Sequence, residues 1–305
     1  MKKTIKNTIY IMMLLFLLIF SLLVYTSNYI YNLALDPKTD KSMFMEHLDQ
    51  TVTAIPDVLF DVSKEVSVTS HDDLQLHGYI FSQEANTWVI VVHGYLSEGI
   101  EMGWAIRYFY RMGHNILAPD LRGHGKSEGN YIAMGWDDRL DIIKWIDYLV
   151  EEDPECQIIL YGISMGGAAV MNAGGETLPS NVKMIIEDSA YTNTEDLFIY
   201  HLENTFGMPE FPLLGMASWI TKIRAGYSIK EGPINQLRYC TLPILFIHGE
   251  KDMLVPIEQK RKLYDSYQGP KEKLIVPEAG HVQANDVNVT KYWETINTFI
   301  NSNLD

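Results

Sequence analysis

The pentapeptide Gly162-Ile163-Ser164-Met165-Gly166 lies between the apolar run IILYG and the helix-like stretch GAAVMNA. A sharp strand-to-helix turn strains its central residue and lifts that side chain clear of the sheet, provided that small residues stand two positions away on either side. Gly162 and Gly166 meet that requirement. The G-x-S-x-G string alone is weak, and its placement between a buried strand and a helix is what gives it weight. A Ser hydroxyl is a poor nucleophile until a base takes its proton and a third group orients the base. In this chain order the base should follow a final strand, as His281 does in KLIVPEAGH, and the acid the strand before it, as Asp252 does in ILFIHGEKDMLVP. Asp188, which ends the run KMIIED, is the competing acid. Asp252 is preferred because a loop after a strand gives its carboxylate reach.

Acyl transfer also needs donors aimed at a developing oxyanion. The backbone N–H of Met165, at the start of the helix opened by the elbow, is the first candidate. The second is the N–H of Tyr95 in His93-Gly94-Tyr95, with the phenol as a further contributor or a packed aromatic. Of the nine His, His93 and His248 read as packing or loop residues. His47, His71, His77, His114 and His201 lie outside any strand end that faces the elbow, and His124 falls in the Asp120 to Ser127 loop.

Short apolar runs at 88–93, 115–119, 158–162, 183–188, 244–249 and 273–277 alternate with helical stretches at 98–111, 137–151, 165–174, 257–267 and 289–301. Strands this uniformly apolar belong to a parallel sheet covered on both faces. In the second helix Leu140, Ile143, Ile146, Leu149 and Val150 are expected on one face. Ahead of these units, DVSKEVSVTS and LQLHGYIFS predict an antiparallel hairpin turning at Asp72-Asp73. Residues 191–238 hold no strand run and are too long for a simple crossover. They predict a helical cap inserted into a core formed by 61–190 and 239–305.

The acid-free first 35 residues contain Lys2, Lys3 and Lys6, so the net charge of −15 divides into +3 there and −18 on everything after them. Ile9 to Tyr25 is a seventeen-residue apolar run interrupted by Ser21. Its length and the lack of a small-residue cleavage site favour an uncleaved signal anchor over residues 1–27 rather than a cleaved signal peptide. Residues 28–60 are expected to form a lead-in with a short juxtamembrane helix. The three lysines place the N-terminus in the cytoplasm and the acidic body outside, a single-pass arrangement at the cell membrane. The acidity excludes a nucleic-acid binder, disfavours polyanionic substrates and leaves the body held near the bilayer by its anchor alone. Cys156 and Cys240 precede strands two positions apart, roughly 9 to 10 Å, beyond disulfide reach. No metal-ligand cluster of the CxxC kind and no cofactor motif occurs.

With elbow, HG loop, late Asp and late His in order, residues 60 to 303 resemble the α/β-hydrolase superfamily of serine hydrolases. Asp120-Leu121-Arg122-Gly123-His124-Gly125-Lys126-Ser127 resembles that superfamily's DxRGxGxS loop, which shapes a turn and is not itself catalytic. The stretch Arg224 to Glu231 is similar to one in cap-bearing, membrane-anchored α/β hydrolases of Gram-positive bacteria. The resemblance implies an eight-stranded, mostly parallel sheet with helices on both faces, and Ser, His and Asp as the triad. Members with an Asp at the elbow perform dehalogenation or epoxide opening and those with a Cys dienelactone hydrolysis, so Ser164 implies acyl chemistry.

Carboxylic ester hydrolysis is the leading expectation, with a small apolar acyl substrate lodged among Phe198, Phe206, Met208, Phe211, Leu213, Leu214, Met216, Trp219 and Ile220. Packing of those residues onto the sheet is the competing account. An aminopeptidase or amidase is the alternative, its substrate amine anchored by Glu195, Asp196, Glu203 or Glu210. A third possibility is an inactive hydrolase-like binding protein, and acyl transfer to an acceptor other than water stays open.

Overall fold

The computed structural model describes residues 2–41, 63–204, 207 and 209–304. The rest of the lead-in, His47, Phe206 and Met208 lie outside them. In chain order the elements are α1 (Lys2–Leu35), β1 (Ser63–Thr69), β2 (Gln75–Phe81), β3 (Thr87–Val92), a 3-10 turn (Gly99–Met102), α2 (Gly103–Arg111), β4 (Asn115–Pro119), α3 (Asp138–Glu152), β5 (Gln157–Ile163), α4 (Met165–Gly174), β6 (Val182–Asp188), α5 (Thr194–Asn204), α6 (Leu213–Arg224), α7 (Pro233–Gln236), β7 (Ile244–Gly249), α8 (Ile257–Ser266), β8 (Lys271–Val276), α9 (Ala284–Val287) and α10 (Val289–Asn303).

The eight strands form one sheet in the order β1-β2-β4-β3-β5-β6-β7-β8. β1 pairs antiparallel with β2 and β2 antiparallel with β4, and the other neighbours are parallel. The apolar runs reflect burial on both faces. Ile90, Val92, Ile158 and Leu160 point into one layer with Trp145 of α3 and most of α4. Val89, Val91, Ile159 and Tyr161 point into the other with Phe109 of α2 and Tyr292, Ile296 and Phe299 of α10. The hairpin turns at Asp73, which has φ 67°. Cys156 and Cys240 are free and buried, and the strands they precede, β5 and β7, lie two positions apart.

Three features differ from expectation. The inward face of α3 carries Asp138, Asp141, Ile142, Trp145, Ile146 and Leu149, whereas Leu140, Ile143 and Val150 are only half-buried. Two acids face inward because the Gly135 N–H donates to Asp138 at 2.7 Å and Arg122 pairs with Asp141. That exchange of polar for apolar positions is invisible to a periodicity count.

Second, α1 has no break near residue 27. It runs 34 residues to Leu35, and the short juxtamembrane helix is its continuation. Its window of highest hydropathy is long and apolar enough to cross a membrane.

Third, the body grips the top of α1. A helix end leaves its last carbonyls unpaired, and here they find partners. Lys41 Nζ donates to Leu33 O and Asp36 O at 3.1 and 2.7 Å, Tyr95 OH to Ala34 O at 2.6 Å, and Ile132 N to Leu35 O at 2.7 Å. Tyr31 and Leu35 enter the core. The body is therefore fastened along the last turns of α1.

Candidate active site

β5 delivers the chain into the elbow and α4 carries it away. Ser164 sits between them at φ 51° and ψ −117°, a strained conformation for a residue with a side chain. Its flanking positions have no room for a methyl group: a Cβ at Gly162 would lie 2.3 Å from Gly166 O, and one at Gly166 would lie 2.3 Å from Val92 O. Backbone atoms supply both clashes, so neither can move aside cheaply. The turn is held by Ser164 N donating to Asp188 O at 2.7 Å and Ala168 N to Ser164 O at 3.0 Å.

His281 and Asp252 meet Ser164 from the loops after β8 and β7. The Ser164 Oγ lies 2.9 Å from His281 Nε2, and His281 Nδ1 lies 2.8 Å from Asp252 Oδ2. An ionised carboxylate only accepts, so Nδ1 carries the hydrogen and Nε2 is free to accept from the hydroxyl. The other Asp252 oxygen accepts from the N–H groups of Leu254 and Val255 at 2.9 and 2.7 Å. Burial pushes this carboxyl up, but the charge and hydrogen bond of His281, helped by His248 and the Val255 N–H, outweigh it and hold Asp252 below the usual range. It stays ionised, as an orienting acid must.

Asp188 faces other partners. Ser189 Oγ and Tyr292 OH donate to its two oxygens at 2.8 and 2.9 Å. Burial pushes it up to about 6 against those bonds. Ser189 Oγ also accepts from Val282 N at 3.2 Å, so this cluster braces the residue that follows His281. The partners Ser189 and Tyr292 carry no motif and were not foreseen.

Of the other imidazoles, His93 and His124 hold the HG loop against the loop after β4. Leu121 N donates to His93 Nε2 at 2.9 Å, so Nδ1 donates to Gly94 O at 2.7 Å. Leu96 N donates to His124 Nε2 at 3.3 Å, and His124 Nδ1 donates to Arg122 O at 3.1 Å. Burial lowers them to about 3 and about 4, so both stay neutral. His248 donates from Nε2 to Val255 O at 2.8 Å. His201 departs from expectation: α5 brings it onto the loop after β7, where it bonds Leu254 O at 2.9 Å. No sequence signal marks that contact, because it depends on how α5 folds back over the sheet.

His93 gives a testable sign. Its pKa falls on folding, so protons bind preferentially to the unfolded chain and stability is lost as pH drops below about 6.5, by about 1.4 kcal/mol per unit until pH approaches 3. His93→Leu strands the Leu121 N–H and is expected to cost about 1–3 kcal/mol at neutral pH. It also removes the proton linkage, so the gap to the parent should shrink between pH 6.5 and 5. Urea-unfolding midpoints of the full chain in detergent measure this, and a gap independent of pH contradicts it.

Met165 is the first residue of α4, so its N–H belongs to the orphan set of a helix N-terminus. The HG loop passes close to Ser164: a Cβ at Gly94 would lie 3.4 Å from Ser164 Cβ. The Tyr95 phenol, however, is turned away to Ala34 O. Only the backbone of Tyr95 remains a candidate donor. The Asp120 to Ser127 loop is a polar knot, with the Asp120 carboxylate accepting from Gly99 N, Lys126 N and His77 Nδ1 at 2.8, 2.9 and 3.0 Å. Gly125, at φ 51°, passes so near that a Cβ would fall 2.4 Å from Asp120 Cγ.

The apolar set expected to line an acyl pocket divides. Leu214 and Ile220 are buried in the core with Tyr31 of α1, Phe198, Leu213 and Met216 are half-buried, and Phe211 and Trp219 are 82% and 55% exposed. α1 occupies the face of α6 that would otherwise be free.

The family model described as Serine aminopeptidase, S33 matches residues 83–229, which contain the HG loop and the elbow. An esterase of Pyrococcus furiosus superposes with a TM-score of 0.66 at 22% identity, covering 84% of this chain and 99% of that one. The chain has the α/β-hydrolase fold. Among curated relatives, this chain is 26% identical to the uncharacterized protein YqkD of Bacillus subtilis over 85% of its own length and 82% of that protein. It is 25% identical to the lysophosphatidylserine lipase ABHD12 of Danio rerio over 50% of its own length and 40% of that protein.

Proposed function

We propose that this α/β hydrolase is a membrane-anchored serine esterase that cleaves carboxylic esters of apolar acyl groups through an acyl-enzyme. The observation that carries the reading is the line from Ser164 Oγ to His281 Nε2 to Asp252, with both links shorter than 3 Å. Ser164 attacks the ester carbonyl as His281 Nε2 takes its proton, and Asp252 stabilises the imidazolium. The Met165 and Tyr95 amides face the oxyanion. The carbon–oxygen bond then breaks as His281 returns the proton to the departing alcohol. A water deprotonated by His281 attacks the acyl-Ser164 ester and frees the acid and the enzyme. The lysines in the first turns of α1 put the N-terminus in the cytoplasm and the catalytic body on the outer side. The esterase among the similar structures and the lysophospholipid lipase among the relatives support ester over amide chemistry.

The match to a serine aminopeptidase model favours a second reading, N-terminal peptide cleavage. Its candidate amine anchors are poorly placed for the task. Glu195 pairs with Lys230 at 3.5 Å, Asp196 accepts from Thr192 and lies 3.6 Å from Lys262, and Glu203 and Glu210 face solvent. A panel of p-nitrophenyl acyl esters and aminoacyl p-nitroanilides, assayed on the full chain in detergent beside Ser164→Ala, separates the two. Esters should be turned over faster, with labelling by a fluorophosphonate probe lost in the variant. Preference for aminoacyl amides selects the peptidase, and an unlabelled parent rejects both.

A further inference from the structure

Helix α6 packs against the upper part of α1. At its C-terminal end Arg224 donates to Asn28 and Asn32 at 2.9 and 2.5 Å and stacks on the Tyr31 ring at 4.0 Å. Three residues later Tyr227 donates to Ile132 O, and the Ile132 N–H donates to Leu35 O. The C-terminal ends of both helices therefore meet the body together, and the N-terminal end of α6 points back along α1. The burial of α1 agrees: its residues are exposed up to Leu22, and cover begins at Leu23 and Val24 and closes over Ser27.

That geometry sets a depth. A hydrocarbon layer of roughly 30 Å takes about 20 helical residues, so a span beginning after Lys6, the last charge before Asp36, ends near Thr26. Tyr25 and Tyr29, 72% and 53% exposed, stand at that level as interfacial aromatics do. Along α6, Trp219 lies about 7 Å and Leu213 about 16 Å below Arg224, less whatever the crossing angle removes. Trp219 then falls level with the exposed tyrosines, and Phe211, ahead of the helix, falls below them. The helix carries no acid, and Lys222 and Arg224 close its upper end. Glu210, beside Phe211 and exposed, limits the depth, because its carboxylate must stay at the headgroups.

We propose that α6 and the turn before it are seated in the same leaflet that α1 leaves, with Trp219 among the headgroups and Phe211 in the upper acyl chains. The inference rests on reading α1 as membrane-spanning and is independent of the catalytic assignment. Its apolar exposure thus has one occupant, the bilayer already in contact with the adjoining surface of α1. Interfacial elements of this kind bury about 5–10 Å, so the seating requires α6 to cross α1 obliquely enough to keep Glu210 at the headgroups. Because α5 in the same segment touches the loop carrying Asp252 through His201, such seating turns that side of the site toward lipid and favours substrates that partition into it.

The test uses the full chain in phosphatidylcholine and phosphatidylglycerol vesicles. Its native thiols are buried, so an environment-sensitive fluorophore can be placed separately on Phe211→Cys, on Leu18→Cys in α1 and on Glu294→Cys of α10. The expected result is a blue-shifted label at 211, quenched more by lipids carrying a shallow doxyl group than a deep one, with label 18 quenched from within the bilayer and label 294 quenched by aqueous iodide. Lipid quenching at 18 with none at 211 overturns the seating while leaving the span intact. A blue shift at 211 that persists in detergent and ignores doxyl lipids means that a second copy covers Phe211, which also overturns it. Absence of lipid quenching at both 18 and 211 removes the spanning reading and the seating together.

Discussion

Ser164→Ala and His281→Ala are each expected to lower kcat toward a short acyl ester by about 10⁶-fold, and the double variant to lose nothing further. In the proposed mechanism nucleophile and base act as one unit: with the Ser164 Oγ 2.9 Å from His281 Nε2, neither contributes when the other is gone. Asp252→Asn should cost about 10⁴-fold, because the amide presents a donor to His281 Nδ1 or forces the other tautomer. Asp188→Asn should cost far less, since its oxygens already serve Ser189 and Tyr292. Single-turnover kinetics on the five variants read these losses directly. Additive losses for Ser164 and His281, or a collapse at Asp188 with activity retained at Asp252, would reassign the machinery.

The largest expected effect on stability lies away from the nucleophile, at Arg122. Its guanidinium is almost fully buried and donates to Asp141 at 2.6 and 2.7 Å and to Asp72 at 3.0 and 3.1 Å. Burial works against the charge, and the Asp141 and Asp72 carboxylates overcome it, so the arginine stays protonated. Arg122→Leu leaves Asp141, 1% exposed, as an uncompensated buried carboxylate, which costs about 3–5 kcal/mol. Arg122→Lys should recover only part of this, because an ammonium cannot match the bidentate fork. Arg122→Leu combined with Asp141→Leu should recover more, since an apolar pair replaces a buried ion pair at little cost. Denaturant unfolding of the three variants measures the series, and a loss below 1 kcal/mol in the single leucine variant contradicts the argument.

Local chemistry made much of the fold legible. Each strand run was continuous and apolar because both faces of the sheet are covered, and the runs at 88–93, 115–119 and 244–249 fall within a residue of β3, β4 and β7. α4 could be placed from its elbow, because a backbone turn with a 2.3 Å approach to either flanking position admits only glycine there. The partners of Ser164 could be named from order along the chain, since loops at one edge of a parallel sheet converge on that edge.

What sequence alone determined is therefore local: the elbow, the alternation of strand and helix, the apolar span and the acidic body. Tertiary structure decided the meetings of distant segments that no motif marks. Tyr95 could be read as a site residue, but only the docked α1, with Ala34 sixty-one positions away, turns its phenol from the nucleophile. Asp138 and Asp141 face inward because Gly135 and Arg122 meet them there, and His201 reaches the Asp252 loop because α5 folds back over it. α1 keeps its helix to Leu35 because the body supplies donors for its last carbonyls. The physical reason is the same each time. Steric demands between neighbours act over a few residues and leave a pattern, whereas a hydrogen bond across the fold constrains only a pair and leaves none.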